Sequence, residues 1–538
     1  MAWGCGDDSP PATDGGLDAS VEAGQDDAAT DTGPPDAGPP GDICDELGFP
    51  REPMEESTGF EYGDVAGDFA VQTLDGSFTL GEAWTGCESY VFVNYAATGE
   101  GDAIWSSFPD PLFSRSARNA QYFFASYETD PAAVRTRMET LRSSFETAFA
   151  MLEAEEASFW RERIHFVTDP LLDIEGSAGD RARNQPGIAY AFAIDRDQRF
   201  DQVGSLAEVT GAGFVPRLGM AAWASHYYNY RATLRARLAA ETGVTLVPLV
   251  SEVDWTERVF DRTATLPDTA AMAAFDTLEV DISITCRQNA RGCSEWDRIG
   301  AIDVCLDDTC DTRRELVRWI TPYSRPGRRR WVIDASPLLG LLRAGGDQPF
   351  RVVMGPAWEA ATPRDVEMSI RLSDRGGADS ASGAELAFTG GTFDAAYDSL
   401  HPPFRFTPPS GTTRVELVVI VSGHGQTDVD NCAEWCNHEH TFTVNGGTDH
   451  RVDFPGEAGR ATGCAERVVD GVIPGQYGNW APSRAGWCPG FPVAALRFDV
   501  TGDAHLSAEN ELTYDASFAG GEPRGGNIDL STYVVYYQ

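Results

Sequence analysis

The segment LEVDISIT (278–285) alternates apolar and polar residues along its whole length. A second segment, VEMSIRL (366–372), alternates in the same way, and RVELVVIV (414–421) is a more continuously apolar run. Alternation with a period of two places the apolar side chains on one face of a strand. Glycine, proline and aspartate separate these runs, and helical periodicity is almost absent after residue 248. This half of the chain is therefore predicted to form antiparallel β-sandwiches.

The length of this all-β half indicates two sandwiches. It contains about 290 residues, well above the size of a common sandwich domain. The stretch SDRGGADSASGAELAFTGG (373–391) is rich in small residues and marks the predicted break. We therefore predict a first sandwich at 248–390 and a second at 391–538.

Residues 46–247 have an α/β pattern instead. Asp130-Pro131 combines a helix-capping acid with a first-turn proline, and apolar residues follow at helical spacing. The order of elements, headed by DFAVQTLDGSFTL (68–80), resembles the thioredoxin-like redoxins. Where redoxins carry Cys-x-x-Cys, this chain has AATGEGDAIW (96–105), which excludes dithiol exchange. The sequence predicts a thioredoxin-like scaffold or binding domain.

The charge balance limits the classes of partner. The chain of 538 residues has 41 basic and 83 acidic residues, a net charge of −42, and every formal cation is arginine. Such a surface repels phosphate backbones and anionic lipids, so nucleic-acid binding is not expected. We give the acidity no further function, because a GC-rich genome or a salty habitat produces the same composition.

The first residues predict a tether. Small residues lead into Cys5 in MAWGCGDDSPPATDGG, and a polar stretch without a basic residue follows. This resembles the cleavage site and stalk of a bacterial lipoprotein. We expect residues 1–45 to form a disordered stalk with lipid on Cys5. The protein is then extracytoplasmic, as a cell-surface or outer-membrane lipoprotein or a secreted protein.

Ten of the eleven cysteines fall into pairs at plausible spacings, and Cys5 is the odd one. Paired cysteines indicate disulfides and an oxidising compartment. Zinc binding is the alternative, but the spacings lack a repeated Cys-x-x-Cys module. The predicted disulfides are Cys44–Cys87, Cys286–Cys293, Cys305–Cys310, Cys432–Cys436 and Cys464–Cys488.

Loops rich in Trp, Arg, Cys and acids stand out in the all-β half. CSEWDR (293–298) and CAEWC (432–436) each set a carboxylate and a tryptophan beside a cysteine. We select Asp297 and Glu434 as candidate catalytic groups, because each lies next to an aromatic side chain in a segment fixed by a predicted disulfide. Two such carboxylates suit general acid–base hydrolysis of a polar substrate.

These loops, with RWITPY (318–323) and GNWAPSRAGWCPG (478–490), resemble the bacterial peptide-N-glycosidase F family in order and interval. The resemblance implies two tandem eight-stranded jelly rolls with a site in the cleft between them. It implies hydrolysis of the bond between asparagine and the first N-acetylglucosamine of N-linked glycans. N-glycosylated proteins or glycopeptides are then the partners, and no metal or cofactor is required.

Carried over by position, the resemblance makes Asp297 the essential aspartate and Glu434 its partner. It places an arginine that lines the site at Arg484. It also places the three disulfides of the family at Cys286–Cys293, Cys432–Cys436 and Cys464–Cys488. The remaining predicted substrate-binding residues are Glu295, Trp296, Arg298, Trp358, Trp435 and Trp487.

Two departures from the family pattern leave alternatives open. Pro356 stands at the position of a third family glutamate, and Gly423-His424 stands where the family has an aromatic residue. Glu359 is a possible substitute for the missing glutamate. One alternative function is glycan binding without hydrolysis, as in a lectin. The other is a copper-dependent monooxygenase of similar double jelly-roll fold, with His424, His438 and His440 as candidate ligands.

Overall fold

A computed structural model describes residues 43–204, 206, 217–286, 294–359, 362–377, 380–425, 432–518 and 525–538. Cys5 and most of the predicted stalk lie outside these residues. The predicted end of the stalk at residue 45 is wrong, because Ile43 and Cys44 are already buried in a helix. The disulfide Cys44–Cys87 joins this helix to the N-terminal domain.

The N-terminal domain contains one mixed sheet surrounded by helices. Its strands are β1 (Phe69–Thr73), β2 (Gly76–Thr79), β3 (Ser89–Tyr95), β4 (Ala120–Ser126), β5 (Ile164–Pro170), β6 (Glu175–Gly176), β7 (Ala191–Ile194) and β8 (Phe200–Asp201). Its helices are α1 (Ile43–Leu47), α2 (Leu80–Ala83), α3 (Gly99–Trp105), α4 (Asp110–Arg115), α5 (Pro131–Phe149), α6 (Ala154–Arg161), α7 (Ser177–Asn184) and α8 (Arg217–Ala240). The strand order is β2-β1-β5-β4-β3-β7-β8, with β6 paired to β1.

The helix predicted after Asp130 is confirmed as α5. The Asp130 side chain accepts a hydrogen bond from the Ala132 amide, and the apolar residues at helical spacing are buried against the sheet. The wider thioredoxin-like interpretation of this domain stays a prediction. Within the described part of the chain, no helix is both long and apolar enough to cross a membrane.

Two β-sandwiches follow. The strands of the first are β9 (Thr245–Trp255), β10 (Val259–Asp268), β11 (Thr277–Cys286), β12 (Ile299–Cys305), β13 (Arg313–Ile320), β14 (Gly327–Asp334), β15 (Gly345–Met354) and β16 (Arg364–Ser373), with helix α9 (Thr269–Met272). The later elements are β17 (Ala381–Thr392), β18 (Phe404–Phe406), β19 (Arg414–His424), α10 (Cys432–Trp435), β20 (His438–Val444), β21 (Asp449–Val452), α11 (Gly463–Glu466), β22 (Phe491–Val493), β23 (Ala495–Asp499), β24 (Asn510–Phe518) and β25 (Asn527–Tyr537). Short 3-10 helices are Leu171–Asp173, Ser336–Leu342, Asp398–Leu400 and Arg467–Asp470.

Both sandwiches have the same strand order. The first consists of the sheets β14-β11-β16-β9 and β10-β15-β12-β13, and the second of β17-β25-β19-β23 and β18-β24-β20-β21. In each case the first strand pairs with the last and the second with the last but one, which is the arrangement of a jelly roll. The alternation that predicted the sandwiches is seen in the cores, where Val280, Ile282 and Ile284 are fully or almost fully buried.

The predicted boundary at 390/391 is too late in the chain. Strand β17 pairs with β25 over its whole length and belongs to the second sandwich. The second sandwich therefore begins at Ala381, inside the stretch rich in small residues. One element of the second half also crosses over, because β22 pairs with β13 at the edge of a sheet in the first sandwich. The loop that precedes β22 is thereby fixed between the sandwiches.

The N-terminal domain covers the outer face of the first sandwich. Glu279 and Asp281, the polar residues of the alternating β11 segment, are buried instead of exposed. Arg237 of α8 pairs with Glu279 (Nη1 to Oε1, 3.2 Å), and Arg330 of β14 pairs with Asp281. Helix α8 therefore contributes one of the ion pairs on this face, and the alternation in the sequence did not reveal that the polar face is covered.

Candidate active site

Asp297 lies two residues before β12, in a loop whose backbone is held by hydrogen bonds to the Ser294 and Thr321 hydroxyls. The Ser294 and Thr321 hydroxyls both donate to the Trp296 carbonyl oxygen, at 2.7 and 3.0 Å. The Arg298 amide donates to the Thr321 hydroxyl at 2.8 Å. These bonds connect the loop to the end of β13 and fix the direction in which the Asp297 side chain points.

Glu434 is contributed by the second sandwich. It lies in α10, a single helical turn closed by the disulfide Cys432–Cys436. Its carbonyl oxygen accepts a hydrogen bond from the Ala485 amide at 2.9 Å. So short a disulfide loop contributes little unfolded-state entropy, and its main effect here is to fix the angle of the helical turn.

Arg484 connects the two carboxylates. Its Nη2 lies 3.3 Å from Asp297 Oδ2, and its Nε lies 3.2 Å from Glu434 Oε1. The Arg484 side chain is 0% exposed, whereas those of Asp297 and Glu434 are 14% and 13% exposed. Nη1 also donates to the carbonyl oxygens of Asn479 and Pro482, both at 2.9 Å. The guanidinium is thus the hydrogen-bonding centre of the site.

Tyr323 is a member of this group that the sequence did not single out. Its hydroxyl donates to Asp297 Oδ2 at 2.6 Å and accepts from Arg484 Nη2 at 2.9 Å. Burial and the neighbouring Asp297 charge raise the pKa of Tyr323, so the phenol keeps its proton. Tyr323 is the last residue of the RWITPY motif, but nothing in one sequence indicates that this residue contacts a loop 26 positions earlier.

The two carboxyl groups differ in their electrostatic environment. Burial raises the pKa of Glu434 to about 7, although the Arg484 charge lowers it. Burial also raises the pKa of Asp297, and the Arg484 charge and the Tyr323 hydrogen bond both oppose that shift. Because Tyr323 donates to Asp297 and not to Glu434, the geometry favours Asp297 as the ionised group and Glu434 as the protonated one.

Both carboxylates line one cleft between the sandwiches, with a volume of about 600 Å³. Arg298 and Pro356 form part of the same lining. Trp358, predicted to bind substrate, is 77% exposed, and Trp296 is 44% exposed. Both have ring surface available for stacking on a sugar. Glu295 is also exposed and lies beside Trp296 in the loop.

Trp435 and Trp487 both lie against Arg484. Their rings lie 4.3 and 5.2 Å from the Arg484 guanidinium carbon, and Trp487 is almost completely buried. Trp487 also donates through its indole nitrogen to the Gly423 carbonyl oxygen at 2.9 Å. The two rings therefore hold the guanidinium by cation–π contact, and Trp487 reaches the cleft as well.

Glu359 pairs with arginines instead of filling the place of the missing glutamate. Its carboxylate oxygens lie 3.2 Å from Arg298 Nε and 3.2 Å from Arg258 Nη2. The Arg298 guanidinium in turn lies 5.2 Å from the Trp358 ring centre. Glu359 thus positions Arg298 at the cleft, and it is absent from the described lining residues.

The three candidate copper ligands do not converge in the structure. His438 Nδ1 lies 2.7 Å from His440 Nε2, so these two rings form a hydrogen bond with each other. His440 also forms a hydrogen bond with the Tyr514 hydroxyl through its Nδ1. His424 instead bonds to Ser422 and lies against Trp487. Burial lowers the pKa values of His424 and His438 to about 3 and about 4, so both are neutral.

Four predicted disulfides are present in the described residues: Cys44–Cys87, Cys305–Cys310, Cys432–Cys436 and Cys464–Cys488. Cys286 is disulfide-bonded. Its predicted partner, Cys293, lies outside the described residues. Cys464–Cys488 connects α11 to the loop that carries Arg484.

Comparison with known proteins agrees with the predicted family resemblance of the C-terminal half. Residues 392–535 match the family model described as peptide-N-glycosidase F, C terminal. The chain is 27% identical over 291 residues to peptide-N(4)-(N-acetyl-beta-D-glucosaminyl)asparagine amidase F of Elizabethkingia miricola, covering 51% of this chain and 77% of that protein. These matches confirm the resemblance of the C-terminal half of the chain to the peptide-N-glycosidase F family.

Solved structures of peptide-N-glycosidase F are also similar. The enzyme from Flavobacterium meningosepticum, described as a glycosylasparaginase, is 21% identical, with 55% of this chain and 96% of that chain covered and a TM-score of 0.42. PNGF-II is 12% identical, with 57% and 67% covered and a TM-score of 0.43. The roles of Asp297, Glu434 and Arg484 within the peptide-N-glycosidase F family stay predictions.

Proposed function

We propose that this protein hydrolyses the side-chain amide between asparagine and the first N-acetylglucosamine of N-linked glycans. The observation that carries the proposal is the position of Arg484, which connects one carboxylate from each sandwich in a single cleft. Hydrolysis needs a base for water and an acid for the leaving nitrogen. The surroundings of Asp297 favour its ionised form, as a base requires, and those of Glu434 favour its protonated form, as an acid requires.

In the proposed first step, ionised Asp297 orients a water molecule and accepts its proton as the oxygen attacks the amide carbon. The carbonyl π electrons move to oxygen and form a tetrahedral oxyanion. The Arg484 guanidinium and the Tyr323 hydroxyl lie beside Asp297. In this proposal they stabilise the negative charge that develops on the oxyanion.

In the second step, protonated Glu434 donates its proton to the amide nitrogen as the carbon–nitrogen bond breaks. The products are aspartate in place of asparagine and an intact glycosylamine. A second water then replaces the amino group of the glycosylamine and releases ammonia. After the products leave, Asp297 releases its proton to water and Glu434 takes one up, so both carboxyl groups return to their starting states.

The sugar end of the substrate is proposed to lie along Arg298, Trp358 and Trp296. The two exposed rings offer stacking surfaces, and Arg298 is held by Glu359 in a position to donate to sugar hydroxyls. Pro356 lines the cleft without a group that can donate or carry charge. Affinity for the first sugars therefore depends on stacking and on Arg298.

The test is release of glycan from a denatured N-glycoprotein in water enriched in oxygen-18. The expected products are free intact glycan and peptide in which the former asparagine is aspartate carrying the heavy oxygen. Retained binding of chitobiose without release would contradict the amidase and support the lectin alternative, which Pro356 and the exposed Trp358 favour. An oxidised sugar product would instead support the copper alternative.

The pH dependence gives a further prediction. Glu434 must be protonated to act as the acid, and burial raises its pKa to about 7, so kcat is expected to fall as the pH rises above about 7. Asp297 must be ionised, so kcat also falls at low pH. Glu434→Gln should remove the high-pH limb while lowering kcat. A high-pH limb that persists in this variant would contradict the role given to Glu434.

Removing the Cys432–Cys436 disulfide should affect activity more than stability. The double substitution Cys432→Ser, Cys436→Ser is expected to lower kcat by about tenfold or more, because Glu434 loses its fixed angle. The melting temperature should change by only a few degrees, about that of a 1 kcal/mol effect. Cys305→Ser, Cys310→Ser is the control, since that small ring closes a turn on the surface. Equal kcat in the two double variants would contradict the prediction.

The remaining proposals concern the N-terminal region. A thioredoxin-like domain without redox cysteines is supported by the strand order β4-β3-β7-β8. In this part of the sheet β3 and β4 are parallel, whereas β3 with β7 and β7 with β8 are antiparallel. The disulfides support an extracytoplasmic location. Lipid on Cys5 is part of the same proposal, and mass spectrometry of the N-terminal peptide of the protein isolated from its native cells tests it.

A further inference from the structure

The N-terminal domain contacts a segment that leads directly into the candidate active site. This segment, residues 471–479, is called the bracing segment here. The Gly471 carbonyl oxygen accepts a hydrogen bond from the indole nitrogen of Trp331 at 3.2 Å, and the Tyr230 ring of α8 packs against Gly471. The start of the bracing segment is thus enclosed by the first sandwich on one side and by α8 on the other.

A buried arginine continues this contact. Arg325 donates to the Pro474 carbonyl oxygen in the bracing segment and, at 3.0 Å, to the Gln202 carbonyl oxygen in the N-terminal domain. The Tyr228 hydroxyl of α8 donates to the same Gln202 oxygen at 3.0 Å. One guanidinium therefore connects the N-terminal domain, the first sandwich and the bracing segment.

The closest approach is between two glycines. A Cβ atom added to Gly204 of the N-terminal domain would lie 2.4 Å from the Gly475 carbonyl oxygen and 2.5 Å from Gly475 Cα. The two backbones therefore touch without side chains between them. Any movement of the N-terminal domain toward the sandwiches must displace the bracing segment.

The other end of the bracing segment holds two active-site residues. Gln476, which is buried, accepts from the Tyr323 amide at 2.9 Å and donates to the Pro489 carbonyl oxygen at 2.8 Å. Asn479 accepts from Arg484 through its side-chain oxygen at 3.1 Å and its carbonyl oxygen at 2.9 Å. Tyr323 and Arg484 are the groups that contact Asp297.

We propose that the N-terminal domain is part of the catalytic unit, because it fixes the bracing segment and thereby positions Tyr323 and Arg484 against the two carboxylates. Gln476 is the positioning residue that passes this constraint to Tyr323. The domain lacks redox cysteines, and on this proposal its contribution is mechanical. The inference rests on the proposed amidase function for its kinetic test, and it has a structural test of its own.

The test compares two glycine-to-alanine substitutions in the full chain. Gly204→Ala places a methyl group against Gly475, whereas a Cβ on Gly187 meets nothing within 4 Å. Both glycines have positive φ, +99° and +79°, so the backbone strain of alanine is similar in the two variants. Gly187→Ala is therefore the matched control for the displacement of the bracing segment.

Gly204→Ala is expected to lower kcat by about 10-fold to 100-fold relative to Gly187→Ala, as small misplacements of catalytic groups do, with KM within about 3-fold. The low-pH limb of kcat should move to higher pH, because Arg484 and Tyr323 then stabilise ionised Asp297 less well. A merely structural role would lower the melting temperature without moving this limb. The double variant Gln476→Ala, Gly204→Ala should lose less kcat than the two single losses combined predict. Both substitutions disturb the same link, from the bracing segment to Tyr323.

Equal kcat and equal pH profiles in the two glycine variants, with active wild-type protein, would overturn the inference. Hydrogen exchange of the amides in 476–490 provides a readout that does not depend on activity. Exchange there should be faster in Gly204→Ala than in Gly187→Ala. If wild-type protein releases no glycan, the proposed function fails while the exchange result still decides the inference, and equal exchange would overturn it.

Discussion

Asp297→Asn is expected to lower kcat for glycan release by about 10³-fold, the range seen when a positioned base is removed. The amide nearly preserves the shape of the side chain, and its oxygen still accepts from the Tyr323 hydroxyl, which lies 2.6 Å from Oδ2 in the wild type. It cannot accept a proton from water. The loss therefore falls on the chemical step and not on the fold.

The measurement is the rate of glycan release under saturating glycopeptide, together with calorimetric binding of chitobiose. Binding should stay within about 3-fold of wild type, because sugar contacts lie with Arg298 and the exposed tryptophans. Asp347→Asn is the matched control, since Asp347 is an exposed acid at the far end of β15 from Pro356. Retention of more than about one-tenth of wild-type kcat by Asp297→Asn would contradict the role of Asp297 as base.

The sandwiches could be predicted because their signal is local. A strand with one face in a core must alternate, and β11 and β16 do so residue by residue. The boundary was missed because composition marks where a chain changes character, whereas the pairing of β17 with β25 joins residues about 140 positions apart. The crossing of β22 to β13 is non-local in the same way.

The candidate carboxylates were predictable for a different reason. Each lies in a short motif with a cysteine and a tryptophan, so the chemistry is concentrated within a few residues. Tyr323 and Gln476 have no such signal, because their importance comes from contacts across the fold. Trp487 lines the cleft, but the sequence did not reveal that the centre of its ring also lies 5.2 Å from the Arg484 guanidinium carbon.

The role of Glu359, a charged residue, could not be assigned from the sequence either. Its place after Trp358 made it a candidate for the missing third glutamate, but a sequence does not reveal which way a loop side chain points. In the structure its carboxylate is held between Arg258 and Arg298. A carboxylate paired with two arginines serves to position them, and Glu359 thereby holds Arg298 at the cleft.

Arg484→Met is expected to abolish measurable glycan release and to destabilise the protein by about 3–5 kcal/mol, the cost of leaving buried carboxylates without their partner. Arg484→Lys should retain less than about 1% of kcat, although its charge is kept. An ammonium is a single point, and it cannot reach Asp297, Glu434 and the Asn479 and Pro482 carbonyl oxygens together.

The loss of stability caused by Arg484→Met should increase as the pH rises. Burial raises the pKa values of Asp297 and Glu434 in the folded protein, and loss of the Arg484 charge raises them further. A carboxyl group whose folded pKa is raised does not affect stability below its unfolded-state pKa, destabilises the fold increasingly above that value, and has its full effect above the folded-state pKa. The penalty should therefore be large at pH 8 and should shrink as the pH falls toward the unfolded-state pKa values, about 4.

Urea unfolding of wild type and Arg484→Met at pH 5 and pH 8 measures this difference. Arg484→Met combined with Glu434→Gln is the matched control, because it removes one of the two buried charges together with the arginine. It should be more stable than Arg484→Met alone at pH 8 and little different at pH 5, where Glu434 is already protonated. An equal penalty at both pH values would show that Arg484 acts through packing against Trp435 and Trp487. Its charge would then not be what holds the two sandwiches' carboxylates in one site.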